Sequence, residues 1–174
     1  MKALLRSIKS RKGQSIVELA LVTPLLLVAL MVPADFGIAF FVANITSNAA
    51  REGARIGSES PKSGGTSDDR DFDTVTDAAA VKDAVVAKMP RYLTNRLVTV
   101  TFYENTPPNC LEVIEVTASG TYGYSLYRIL QFLGISVPPS TMLSRTTQMA
   151  YRYQPYSNET HCTGTTANQT YPNV

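Results

Sequence analysis

The 174-residue chain has a single histidine, His161, and two cysteines, Cys110 and Cys162. One histidine excludes a multi-histidine metal centre, and no Cys-x-x-Cys-His run offers a haem attachment. His161 and Cys162 are sequence neighbours, but adjacent side chains in an extended segment point apart and make a poor nucleophile–base pair. The glycine-rich stretch "SGGTS" lacks the lysine and the strand-to-helix setting of a phosphate-binding loop. The acidic run "DDRDFD" (68–73) lacks the glycine and distal glutamate of a calcium loop and reads as a solvated linker. With no catalytic constellation, the sequence predicts no enzyme, no metal and no cofactor.

Positive charge is also scarce outside one place. Residues 1–13 carry Lys2, Arg6, Lys9, Arg11 and Lys12 and no acid. The remainder holds 11 of the 16 basic residues against all 14 acids, so the body is acidic and presents no electrostatic footprint for nucleic acid. A basic leader followed by an apolar run fits the positive-inside rule, with the leader cytoplasmic. Both cysteines would then face an oxidising compartment, where a Cys110–Cys162 disulfide is expected. The alternative is two unrelated thiols, since sequence separation does not fix distance.

From Ile16 to Ala34 the only charge is Glu18. As a helix at 1.5 Å per residue this run spans about 28 Å, close to a bilayer core of about 30 Å. Pro24 and Pro33 interrupt it, which membrane helices tolerate better than soluble ones. A cleaved secretory signal competes with this reading, because Val32 and Ala34 supply the small residues of a cut after Ala34. Two features oppose it. Glu18 sits where a signal should be purely apolar, and the helical pattern continues past Asp35. Phe36, Phe40, Ala43, Ser47, Ala50 and Ala54 recur three or four apart, flanked by Val42, Ala49 and Ile56. One long helix over 14–57 is therefore predicted, membranous in its first half and amphipathic in its second, with Gly57 as its stop.

The stretch "KGQSIVELALVTPLLLVALMVPADFGIAFFVANITSNAAREGARIGS" (12–58) resembles the TadE-like proteins, pseudopilins of the tight-adherence (Flp) pilus machinery. The resemblance rests on a glycine followed by small residues and Val-Glu-Leu-Ala, a proline six residues after the glutamate, and the closing "NAAREGARIGS". It implies a prepilin cut by a prepilin peptidase after Gly13, making Gln14 the first mature residue and Glu18 the fifth. Major Flp pilins usually have tyrosine after this glutamate. Here Leu19 stands there, and the soluble region is much longer, which favours a minor component. The resemblance further implies as partners a prepilin peptidase, a sister pseudopilin, the major Flp pilin and the inner-membrane secretion platform. The three Asn-x-Thr sequons, at Asn44, Asn158 and Asn168, are read as coincidental in such a protein.

Glu18 has two readings. As an isolated residue one turn into the span, it snorkels to the cytoplasmic interface. With the Gly13–Gln14 bond cut, the freed α-amino group offers a partner, on a neighbouring subunit or the same chain, and pairing offsets the desolvation of both charges.

Beyond the stalk, 58–72 reads as a polar linker. A second helix is predicted over Thr74–Met89, capped by Asp73 or Thr74 and ended by Pro90. "LVTVTFYE" (97–104) alternates strictly and predicts a strand, with Val98, Val100 and Phe102 on one side. The turn "NTPPNC" sends 111–124 back as a hairpin, with Gly120 and Gly123 suggesting a late bulge. "SLYRILQFLG" (125–134) has helical spacing with a glycine stop, and 141–154 predicts a third strand. The C-terminal tyrosines, among them Tyr122, Tyr124, Tyr127, Tyr151, Tyr153 and Tyr156, pack a core edge or form a partner surface.

The expectation is thus α+β and pilin-like: a transmembrane and amphipathic helix, then a small domain over 73–154 with a second helix and a three-stranded antiparallel sheet. The tail, 155–174, is expected to be loosely ordered. The expected function is structural, as a minor pseudopilin anchored by one span in the inner membrane with its C-terminal domain outside the cytoplasm. The alternative is a secreted adhesive or binding domain released after Ala34.

Overall fold

A computed structural model describes residues 11–59, 76–104, 111–125, 128, 130–131, 134–136, 138–151 and 166–174. The order is α1 (Arg11–Glu59), α2 (Thr76–Lys88), β1 (Thr94–Glu104), β2 (Glu112–Gly123), β3 (Ser140–Ala150) and β4 (Thr166–Pro172). The fold is α+β, with one antiparallel sheet of strand order β3-β2-β1-β4.

α1 is a single helix of 49 residues with Pro24 and Pro33 inside it, about 74 Å long at 1.5 Å per residue. It begins by Arg11 and runs to Glu59, two residues beyond the predicted glycine stop. Contact clustering separates residues 1–37 with 125–137 from residues 38–124 with 138–174.

Within the larger unit, the C-terminal half of α1 packs on α2 and on one face of the sheet. A methyl group at Gly53 would meet the side chain of Val85 on α2 and lie 3.4 Å from both Val81 and Val116. One at Gly57 would meet Ile114 on β2 and come to 3.0 Å from Val81. The approach is so close that the buried face of α1 holds only small or short residues: Ala39, Val42, Ala43, Thr46, Ala49, Ala50, Gly53, Ala54 and Gly57. This corrects the predicted stripe. Phe36 and Phe40, which recur three or four apart with Ala43, Ala50 and Ala54, are exposed, as is Phe41, whereas the small residues are buried. Thr46 keeps its hydroxyl satisfied there by donating to the Val42 carbonyl at 2.9 Å.

Ala78, Val81 and Val85 of α2 are buried, as is Met89 just after it. The proposed capping residues Asp73 and Thr74, like the "NTPPNC" turn, lie outside the described residues. Met89 N–H still donates to Val85 at 2.9 Å, and Pro90 then stops the helix.

β1 starts three residues earlier than its alternation indicates. Asn95 adopts φ 48°, and the pairing with β2 shifts between Thr94 and Leu97. Asparagine is among the few residues that tolerate this left-handed conformation, so a bulge carries the strand back to Thr94. Val98, Val100 and Phe102 share one side of β1, as predicted, and are buried on the helix-covered face with Ile114, Val116 and Ala118 of β2. The β2–β3 register runs unshifted from Val113 to Gly123, whereas on the β1 side Gly120 lies opposite the Asn95–Arg96 bulge, between the pairs Leu97–Ser119 and Thr94–Thr121. A Cβ there would lie 3.1 Å from Leu93, so the glycine makes room for that side chain.

β4 corrects the expectation of a loosely ordered tail and a three-stranded sheet. Thr166–Pro172 pairs along β1 from Leu97 to Tyr103, and Val174 N–H adds a bond to the Arg96 carbonyl at 3.3 Å. "TANQTYP" carries little strand signal by itself. It is held by a ladder to β1, and Lys82 of α2 sits 5.5 Å over the Tyr171 ring. The third strand ends at Ala150, short of the predicted 154.

The other sheet face is polar. The register sets Thr146, Thr117, Thr99 and Thr170 in one row across all four strands, and the hydroxyls of Thr117 and Thr146 are 2.8 Å apart. In the next row Gln148 donates to Glu115 at 2.5 Å, and Tyr103 OH reaches the same carboxylate at 3.4 Å. Burial and then the Glu115 charge push the Tyr103 phenol above its ordinary range.

In the 125–134 segment, residues 128 and 130–131 are in a 3₁₀ turn. Gly134 ends it at φ 76°, its N–H on the Gln131 carbonyl at 3.1 Å and that of Ile135 on Leu130 at 3.2 Å. These paired bonds with glycine in the left-handed position are a Schellman stop. Of the tyrosines, Tyr122 and Tyr151 are buried, and Tyr122 meets Tyr124 edge-on at 5.4 Å between ring centres. Packing therefore accounts for these three. Tyr127, Tyr153 and Tyr156 lie outside the described residues.

Candidate functional site

The predicted processing and assembly residues fall together in the first turns of α1. Gly13, Gln14 and Glu18 are all helical. Gly13 is exposed, and nothing lies within 4 Å of where its Cβ would be. The peptide bond after it therefore has an open approach on the glycine side. Glu18 is exposed and stands four residues after Gln14. On an α-helix that spacing places two residues on one face, one turn apart. A terminus created at Gln14 thus has Glu18 as its nearest carboxylate along its own helix, which is the geometry an intrachain amine–carboxylate pair requires.

The surface around Glu18 is apolar. Ile16, Val17, Leu19, Leu21, Val22, Leu25, Leu26 and Leu30 are all exposed. A soluble protein does not leave such a run in water, at about 25 cal/mol per Å² of apolar area. The helix is long and apolar enough to span a membrane, and its most apolar 18-residue window has a mean hydropathy of 2.4 with none of it buried. Proline at 24 leaves one ladder bond unmade. Thr23, the residue before it, donates its hydroxyl to the Leu19 carbonyl at 2.6 Å, satisfying a side-chain donor that hydrocarbon would leave without a partner.

Residues 13–55 match the family model described as TadE-like protein. Over this stretch α1 is similar to the TadE-like family. The match begins at Gly13 itself and stops within α1, so the TadE-like segment is one helix, and α2 and the sheet lie outside it. No curated protein and no solved structure matches the chain. The match suggests involvement in Tad (Flp) pilus systems. It covers both halves of the helix: the exposed apolar run, and the small-residue face that packs on the sheet.

Two features of α1 escaped the sequence reading. Gly53 and Gly57 are packing positions, whereas Gly57 reads as a helix stop when α1 is considered without its neighbours. Asp35, one residue past the apolar run, is 1% exposed. Its charge is seen in the sequence, but its burial is a tertiary fact. The disulfide partners Cys110 and Cys162, and His161 beside them, lie outside the described residues. Among the described residues no group of three or more His, Cys, Asp or Glu side chains is placed to hold a metal ion.

Proposed function

We propose that the protein is a minor pseudopilin that serves assembly of a tight-adherence pilus. The observation that carries this reading is the register at the head of α1: Gly13 opens the TadE-like match, and Glu18 stands five residues later on an exposed, otherwise apolar helix. In this reading a prepilin peptidase cuts between Gly13 and Gln14. The new α-amino group pairs with a Glu18 carboxylate, its own or a neighbour's, and the pair keeps either charge from lying alone in hydrocarbon. The protein acts by helix packing and catalyses nothing. The basic leader holds the N-terminus cytoplasmic, so the α+β domain is outside the inner membrane. A sister pseudopilin, the major Flp pilin and the inner-membrane secretion platform are its partners, and it is either incorporated in the pilus or retained at its base.

The competing reading, a secreted domain released after Ala34, is disfavoured by the family match, which runs through the Ala34–Asp35 bond. Co-expression with a prepilin peptidase tests the proposal. The mature chain is expected to begin at Gln14, and Gly13→Ala is expected to abolish the mobility shift. A shift that is the same with and without Gly13→Ala contradicts processing at this bond.

A further inference from the structure

The outward arc of α1 changes character at one place. Ile38, Phe40 and Phe41 are 44%, 67% and 60% exposed. The next outward residues are Asn44, Asn48, Arg51 and Arg55, all exposed, with Arg55 held between Glu52 and Glu59 at 3.1 and 3.0 Å. Phe40 and Phe41 thus form a short apolar band directly below this polar arc, opposite the side packed on the sheet, and Ile38 stands about 160° round the helix from Phe40, at the edge of the packed side.

The length of the apolar run sets what can cover that band. With Ile16–Ala34 across the hydrocarbon, Ile38 lies four residues on, about 6 Å above the core, and Phe41 about 10 Å above it. Headgroup layers bring a bilayer from about 30 Å to about 40–45 Å, so each adds about 5–7 Å. Side chains on an α-helix lean toward its N-terminus, which here is the membrane end, so the rings ride lower than their Cα atoms. The band is also continuous with the lipid-facing surface below it.

We infer that Ile38, Phe40 and Phe41 form an interfacial collar that seats the helix in the headgroup layer at the C-terminal end of the span. The occupant of this surface is the lipid interface, which accepts apolar side chains wherever the helix is not packed on the sheet. The collar fixes the depth of the helix, and with it the height at which Asn44 and the polar arc begin. This inference rests on the membrane-anchor reading and goes beyond the processing and assembly roles.

The chain contains no tryptophan, so a single introduced one reports its own surroundings. The full chain is reconstituted in phosphatidylcholine vesicles as Phe40→Trp, with Leu26→Trp as a mid-span reference and Tyr92→Trp, at a position 54% exposed on the turn before β1, as an aqueous reference. Each is quenched by acrylamide present on both sides and, separately, by phosphatidylcholine brominated near the glycerol end of its acyl chains. Phe40→Trp is expected to be quenched strongly by the brominated lipid and to show a several-fold smaller acrylamide slope than Tyr92→Trp. Acrylamide quenching equal to that of Tyr92→Trp, with Leu26→Trp protected, overturns the collar and leaves the anchor standing. Protection of Phe40→Trp from both quenchers overturns it in favour of a protein occupant. Acrylamide quenching of Leu26→Trp as well overturns collar and anchor together.

Discussion

Gly57 of α1 lies directly against Ile114 of β2, with no room between them for a methyl group. Four residues earlier, Gly53 stands in the same relation to Val85 of α2. The two glycines let a helix that begins as a membrane anchor enter the core of an α+β domain at close range. Gly53→Val and Gly57→Val are therefore expected to destabilise the domain by about 1–3 kcal/mol or more, through forced displacement of α2 or β2. Gly37→Ala is the control on the same helix. Its site is open, and alanine is favoured over glycine in a helix by about 1 kcal/mol, so its melting temperature should equal or exceed that of the unmodified protein. Thermal unfolding in detergent checks all three.

The sheet's buried face makes a second prediction. Ile114 is fully buried against α1. Ile114→Ala should lower stability by about 2–5 kcal/mol, whereas Leu111→Ala, at an exposed position just before β2, should change it by less than about 0.5 kcal/mol. Denaturant titration followed by circular dichroism distinguishes the two.

β4 protects an edge. Without Thr166–Pro172, β1 would present an unpaired edge along Leu97–Tyr103, a template for aggregation. A chain ending at residue 165 is expected to melt at lower temperature and to show concentration-dependent light scattering that the full chain lacks. Unchanged melting and scattering would mean that the β1–β4 pairing contributes little.

On the polar face, Thr117 and Thr146 hydrogen bond across the β2–β3 ladder. A double-mutant cycle with Thr117→Val and Thr146→Val should return a coupling of about 0.2–1 kcal/mol. A coupling of zero would show that the pair adds nothing beyond the backbone ladder.

Local patterning was enough to read the anchor, α2, the β1–β2 hairpin and the glycine stop at Gly134, because each is encoded within one stretch: a charge-poor run, a three-four apolar spacing, a strict alternation, a glycine after a short helix. What escaped was set by contacts between stretches. "TANQTYP" becomes a strand only because β1 offers an open edge. Phe36 and Phe40 recur three or four apart with Ala43, Ala50 and Ala54, yet they are exposed whereas the small residues are buried. Asn95 extends β1 through a left-handed bulge that alternation does not signal. For the site, the glycine-to-glutamate register was visible in the sequence, and the fold adds that Gly13 and Glu18 are both exposed within one helix.

Glu18 ties the register to assembly. Glu18→Ala removes the one charge within the apolar run, so insertion should be retained or improved while pilus assembly is lost. Carbonate extraction reads the first and surface pili the second. Normal piliation with Glu18→Ala would separate this carboxylate from assembly.

The most direct test is the N-terminal sequence of the mature protein isolated from cells that make the prepilin peptidase. The account predicts a chain beginning at Gln14, retained in the membrane fraction. A soluble chain beginning at Asp35 would contradict it.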